Sequence, residues 1–242
     1  MKKTYILLLS FALLFSCKNP ETTNNSSKIT SKTIETAIYK ISAFNKVTNT
    51  SIVNIEITDE VPTDEIHFIS SKENLEFVKH EVVNNELIFS HTTKNLEIKD
   101  VKIIAKINSA NINSFKIEGA GYIKSNIIQK AQNIKTEIEG AGSLELKINN
   151  NSIENKIEGL GNITLSGRTD NAKTEIEGAG NLNAFELETN NTYVSIEGLG
   201  NANVNASEKL EANISGIGNL TYKGNPKEIF KNKDGLGSIK AY

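Results

Sequence analysis

The chain of 242 residues sets 27 basic side chains against 29 acidic ones, for a formal charge of −2. Arg168 is its only arginine and no stripe of clustered cations runs along the sequence, which excludes the phosphate-neutralising chemistry of a nucleic-acid binder. Cys17 is the only cysteine, so no disulfide can form within one chain.

Residues 1–16 read as an export signal. Lys2 and Lys3 form a positive start, and the apolar run from Tyr5 to Phe15 is too short for a membrane span of roughly 20 residues. The run ends in Leu14-Phe15-Ser16-Cys17, which resembles a bacterial lipobox, with Phe15 bulkier than the usual residue there. Cys17 is therefore the expected lipidation site, and the membrane the expected first partner. Removal of the signal takes two lysines with it and leaves 25 basic against 29 acidic residues. Residues 17–35 are rich in Asn, Ser, Thr and Lys and almost free of apolar side chains, the composition of a flexible tether.

From residue 36 the aliphatic density rises. Residues 36–110 hold alternating stretches at Ser51–Thr58, Glu65–Ile69, Glu86–Ser90 and Val101–Ile107, with breaks at Asp59–Asp64, Asn84-Asn85 and Thr92–Asn95. Period-2 alternation with β-branched residues predicts strands. One short helical turn is expected within Asn74–Val83. This region is expected to cap a repeat domain or to form its irregular first coils.

Residues 111–242 repeat. Gly-x-Gly recurs with first glycines at 119, 140, 159, 178, 198, 216 and 235, at separations of 21, 19, 19, 20, 18 and 19. That period is too short for two-helix repeats, and the Leu-x-x-Leu-x-Leu skeleton of leucine-rich repeats is missing. Alternating residues on both sides of each glycine pair predict a β-solenoid of about seven coils, rising roughly 34 Å at the inter-strand spacing. The glycines are expected to supply torsions that a side chain forbids. Ile117, Ile138, Ile157, Ile176, Ile196 and Ile214 form one expected inward stack. Ile123, Leu144, Ile163, Leu182, Ala202, Leu220 and Ile239 form a second. Asn162, Asn181, Asn201 and Asn219, with Ser143 and Ser238, should form a side-chain ladder. Lys233 takes the isoleucine slot of the last coil, as a polar terminal cap would.

The run Ala43-Phe44-Asn45-Lys46-Val47, the strand Ile55-Glu56-Ile57, the tandem Gly-x-Gly-Asn-[Ile/Leu] units and the closing Tyr222-Lys-Gly-Asn-Pro226 with Gly235-Leu-Gly-Ser-Ile239 carry a resemblance. Together they resemble the head GIN domain family (DUF2807) of autotransporter-adhesin-like proteins, over roughly residues 43–240. The resemblance implies an all-β fold, a right-handed, single-stranded, pectin-lyase-like parallel β-helix, with residues 36–242 as one continuous domain. It also implies a Bacteroidetes-type cell-envelope location and an adhesive role with no known catalytic residues. One departure stands out: the family commonly has Ser before the glycine pair, where five coils here have Glu.

Those glutamates, Glu118, Glu139, Glu158, Glu177 and Glu197, follow inward isoleucines and so point outward on one face. Stacked about 5 Å apart they repel one another. Two neighbouring columns relieve this, Lys116-Glu137-Lys156-Glu175 and Lys135-Glu154-Lys173, alternating in antiphase. A charge-laced solvated face is one reading of the column, and a site for a hard cation such as Ca²⁺ is the sharper one. His67, His80 and His91 do not repeat and build no catalytic motif. No cofactor is called for. The reading is a non-enzymatic envelope lipoprotein, outer-membrane-anchored and facing periplasm or surface, which presents its solenoid to a glycan or protein. The alternatives are a polysaccharide-active β-helix enzyme or a purely structural periplasmic lipoprotein, and exposed solenoid edges allow self-association.

Overall fold

The computed structural model describes residues 33–92 and 102–242 of the chain; the predicted export signal, Cys17 and the tether up to residue 32 lie outside the described residues. No helix among those residues is long and apolar enough to cross a membrane. The protein is a single-stranded parallel β-solenoid, as the repeat predicts.

The regular coils follow from the alternation. Strand β11 (Ser143–Ile157) lies in register on β12 (Asn162–Ile176), which lies on β13 (Asn181–Ile196) and then β14 (Asn201–Ile214). Each of these strands bends round the coil, so its first half builds one face and its second half the other. A Gly-x-Gly corner closes the coil. Ile138, Ile157, Ile176 and Ile196 are fully buried, and Leu144, Ile163, Leu182 and Leu220 fill the second inward column. Spacings other than 19 are absorbed by register shifts just after the corner, between Thr164 and Ser166 or between Asn183 and Thr189, and the corners stay aligned.

The corner glycines are needed for a different reason from the one expected. Positive φ occurs at Gly167, Gly224 and Gly237, and of these only Gly237 is a corner residue. The rest have ordinary torsions but no room. A Cβ on Gly140 would lie 2.1 Å from the carbonyl oxygen of Gly119, and one on Gly142 would lie 2.5 Å from Ile117 Cγ2. Close stacking of backbone on backbone, rather than torsion, excludes a side chain.

The region before residue 110 is both first coil and cap. Strands β2 (Lys46–Asn49) and β3 (Asn54–Ile57) form a coil without glycines. Its corner is tied by buried Asn49, whose side chain donates to the Val53 carbonyl at 2.7 Å and accepts from the Ser51 amide at 3.1 Å. On one side this coil pairs in parallel with β8 (Ser114–Ile117) and β9 (Tyr122–Gln129), which lead through β10 (Asn133–Ile138) into the repeat. On its other side lie β6 (Glu86–His91) and β7 (Ile104–Ile107). The first coil in sequence is thus the inner one in space, inserted between two later segments.

Antiparallel strands finish this end. β4 (Glu65–Ser71) pairs with β7, β1 (Ile34–Lys40) pairs with β4, and β5 (Val78–Val83) pairs with β6. The β5–β6 hairpin turns on Asn84 and Asn85 at φ of 51° and 61°, the pair of left-handed residues that a two-residue hairpin of matching twist requires. The expected helical turn is α1 (Lys72–Leu75), capped by the Ser71 hydroxyl; residues 78–83 are strand instead, because pairing with β6 outweighs local preference.

The other end carries β15 (Ile217–Lys223), β16 (Glu228–Lys233) and β17 (Leu236–Ala241). Lys233 stands opposite Ile214 and Lys231 opposite Ala212, so two lysines take the inward register of the last coil. Lys231 donates to Tyr222 Oη at 3.1 Å and sits over its ring. Inward charge of this kind disfavours a further strand adding to the edge. Pro226 lies in the turn between β15 and β16, after which the coil resumes.

Candidate functional site

The glutamate column is where the alternation puts it. Glu118, Glu139, Glu158, Glu177 and Glu197 all point to solvent on the face that ends at the glycine corner. Lysines of the next column hold four of the five in pairs. Lys116 bridges Glu118 at 2.9 Å and Glu139 at 2.8 Å, while Lys156 contacts Glu158 and reaches Glu177 at 3.4 Å. Among the described residues Glu197 has no ion pair, since Ser195 stands where its lysine would be. Hydrogen bonds to Glu139 and Glu118 hold the Lys116 ammonium well above its ordinary pKa, and the bond to Glu158 raises that of Lys156. Among the described residues no group of three His, Cys, Asp or Glu side chains is placed to hold a metal ion.

Further along the same face the antiphase columns close on themselves. Lys135 pairs with Glu137 at 3.0 Å, and Lys173 bridges Glu154 at 3.1 Å and Glu175 at 2.8 Å. Glu137 is pulled two ways. Burial alone would raise its pKa, but the hydrogen bond donated by Lys135 and the nearby charges of Lys135 and Lys116 outweigh that and lower it below the ordinary carboxylate value. A carboxylate lowered in the fold adds stability that is complete above its ordinary pKa and is lost as pH falls through the depressed one. Glu137→Gln is therefore expected to flatten the dependence of the urea midpoint on pH between about 5 and 3. An unchanged slope in that window would mean that the pairing contributes nothing.

The asparagine ladder forms from Asn162 to Ser238, and the Ser143 hydroxyl makes no bond in it among the described residues. Each amide nitrogen donates to the oxygen of the coil before it: Asn181 to Asn162 at 3.0 Å, Asn201 to Asn181 at 3.0 Å and Asn219 to Asn201 at 3.1 Å, with the Ser238 hydroxyl ending the row on Asn219 at 2.8 Å. A second ladder at the opposite corner was not foreseen: Asn191 donates to Asn171 at 3.0 Å, and Ser152 to Asn133 at 2.7 Å.

Beside this second ladder runs a groove of about 580 Å³ crossing the coils from Asn113 to Glu211. The Asn133–Ser152–Asn171–Asn191 row forms one wall, and the Lys135–Glu154–Lys173–Tyr193–Glu211 row forms the other. Buried Ile134, Ile153, Ala172 and Thr192 lie between them. Local periodicity named Lys135, Glu154 and Lys173 among these residues as a charge column, but it could not show that the face is concave there.

The histidines stay apart from the groove. His67 bonds to Glu65 at 2.7 Å, and His80 sits between Tyr39 and Phe68 with its pKa lowered by burial. Tyr122, which replaces asparagine at the head of the first ladder, is pushed up to about 12 by burial and by its bond to Glu56 at 3.0 Å.

This geometry has counterparts. The family model described as "Putative auto-transporter adhesin, head GIN domain" matches residues 43–226. Among solved structures, the chain is similar to one described as a putative adhesin from Bacteroides fragilis, at 25% identity and a TM-score of 0.79, over 88% of this chain and 98% of that one. It is also similar to a putative adhesin and to a "Putative lipid binding protein", both from Parabacteroides distasonis. Their identities are 20% and 21% and their TM-scores 0.69 and 0.67, each over 88% of this chain and 98% of theirs. These two likenesses concern the fold. No curated protein matches the chain.

Proposed function

Because the chain belongs to the DUF2807 family, the head GIN domain adhesin-like proteins, we propose that it is a non-catalytic binding module of the cell envelope. In this reading a lipid on Cys17 holds the chain to the membrane, residues 17–33 act as a tether that ends where β1 begins, and the solenoid face is the working surface. One observation carries the proposal: the face repeats the same pattern of side chains coil after coil, with its charges, Glu197 excepted, closed into ion pairs. Catalysis needs a unique point where one or two groups are held poised and unpaired. A repeated, self-neutralised surface suits the gripping of an extended partner.

The test has two arms. Cells carrying the wild-type chain are expected to incorporate radiolabelled palmitate into the protein and to retain it in the membrane fraction, and Cys17→Ala should abolish both. Deletion of the whole chain should lower attachment of those cells to a glycan- or protein-coated surface. Turnover of a defined polysaccharide by the purified chain, lost on changing one carboxylate, would overturn the non-catalytic reading.

A further inference from the structure

We propose that the groove between the second asparagine ladder and the Lys–Glu column is a binding site for an uncharged, unbranched oligosaccharide, with Tyr193 as its stacking platform. The proposal rests on the adhesin-like reading above and names the ligand class of that surface.

The argument begins with what is left unpaired. Every charged side chain lining the groove already has a partner within the fold: Lys135 with Glu137, Glu154 with Lys173, and Lys209 with Glu211 at 3.5 Å. A charged ligand would have to break these pairs and so gains little. The neutral groups are different. The Asn133 oxygen accepts from Ser152 and the Asn191 nitrogen donates to Asn171, and among the described residues the Asn133 nitrogen and the Asn191 oxygen, on side chains that line the groove, have no partner. Among the described residues, the side chain of Asn113 and the Tyr193 hydroxyl make no hydrogen bond, and the Tyr193 ring stacks on no other ring. The groove therefore offers neutral donors and acceptors on one wall and one free aromatic face. A sugar chain carries the complementary parts, hydroxyls round its edge and an apolar ring face that packs on an aromatic.

Geometry excludes the main competitor. An extended peptide gains most of its affinity by adding as a strand to a sheet edge, through main-chain hydrogen bonds. The groove lies on the sheet face, where the parallel ladders β10–β11, β11–β12 and β12–β13 already use the main chain. The free side-chain groups stand in the coils of Asn113, Asn133 and Asn191, and the six coils from Asn113 to Glu211 give a track of about 24 Å at roughly 4.8 Å per coil. That track suits a short linear oligosaccharide.

The test uses the whole purified chain in calorimetric titrations. The probes are cellohexaose, xylohexaose and mannohexaose, with hexagalacturonate and a neutral extended hexapeptide as controls. At least one neutral hexasaccharide is expected to bind, with an affinity that changes less than about twofold between about 0.05 and 0.5 M salt. Tyr193→Ala should weaken that binding about tenfold, and Tyr193→Phe, which keeps the ring, should weaken it less. An unchanged urea midpoint for both variants shows that the fold is intact. No binding of any neutral probe, preference for hexagalacturonate or the peptide, or indifference to Tyr193→Ala would each overturn the proposal. Attachment of cells separates the two readings. If deleting the chain lowers attachment but Tyr193→Ala does not, the adhesin-like function stands and the groove assignment falls. If deletion changes nothing, the wider reading falls with it.

Discussion

Replacing Gly159 by alanine is expected to destabilise the protein by about 3 kcal/mol, at the upper end of overpacking costs, read as a drop in the urea midpoint at constant slope. The added Cβ would lie 2.1 Å from the carbonyl oxygen of Gly140 and 2.4 Å from that of Glu139. Neither atom can turn away as a side-chain tip would. The Gly140 carbonyl accepts from the Leu160 amide at 3.0 Å, and Gly159 itself continues the ladder by donating to Ile138. Moving the coils apart to make room would lengthen these bonds in every neighbouring strand. Leu160, one residue on and 68% exposed, is the internal control. Leu160→Ala should change stability by less than about 0.5 kcal/mol, as surface substitutions usually do. If Gly159→Ala is as mild as the control, the solenoid is softer at its corners than the stack implies.

The second large effect lies inside the solenoid. Thr136, Asn155 and Thr174 stand one above another in three successive coils and are almost wholly buried. The Thr136 hydroxyl donates to Asn155 Oδ1 at 2.8 Å, and Asn155 Nδ2 donates to Thr174 Oγ1 at 3.0 Å. Asn155→Ala removes the middle of this chain and leaves two buried hydroxyls without their partner. The expected cost is about 3 kcal/mol, since each unsatisfied buried group forfeits roughly 1–3 kcal/mol. The same inward column carries Phe115, Val194 and Ala212 in other coils, so the position accepts apolar residues. The triple variant Thr136→Val, Asn155→Val, Thr174→Val should therefore regain most of the loss, because it removes donors and acceptors together. Equilibrium urea unfolding of the single and triple variants decides the matter: a triple variant less stable than Asn155→Ala would show that the ladder itself, not its incompleteness, sets the stability.

The repeat was legible because a solenoid turns sequence period into spatial column. Ile117, Ile138 and Ile157 share an offset from their glycines, and equal offsets become neighbours once coils stack. The same rule placed the five glutamates, their lysine partners and the asparagine ladder. It failed where the period fails. The inward asparagine at 155 replaces a threonine in the coils on either side, so no column of like residues announced it. β1 was not read as a strand, because its pairing partner β4 lies beyond an intervening coil and its own alternation is weak. Nor could local pattern show that β2 and β3 slot between β6–β7 and β8–β9, since those contacts join segments up to 68 residues apart.

The groove and the glycine corners mark the same boundary. By itself the sequence determined the fold class, the inward and outward columns and the charge pairing, all of which depend on alternation and period alone. The tertiary structure decided which face is concave, which hydrogen-bonding groups stay free and why the corners admit no side chain. Those depend on how closely one coil lies on the next. That distance is set by the backbone ladders of the whole stack and is written in no single repeat.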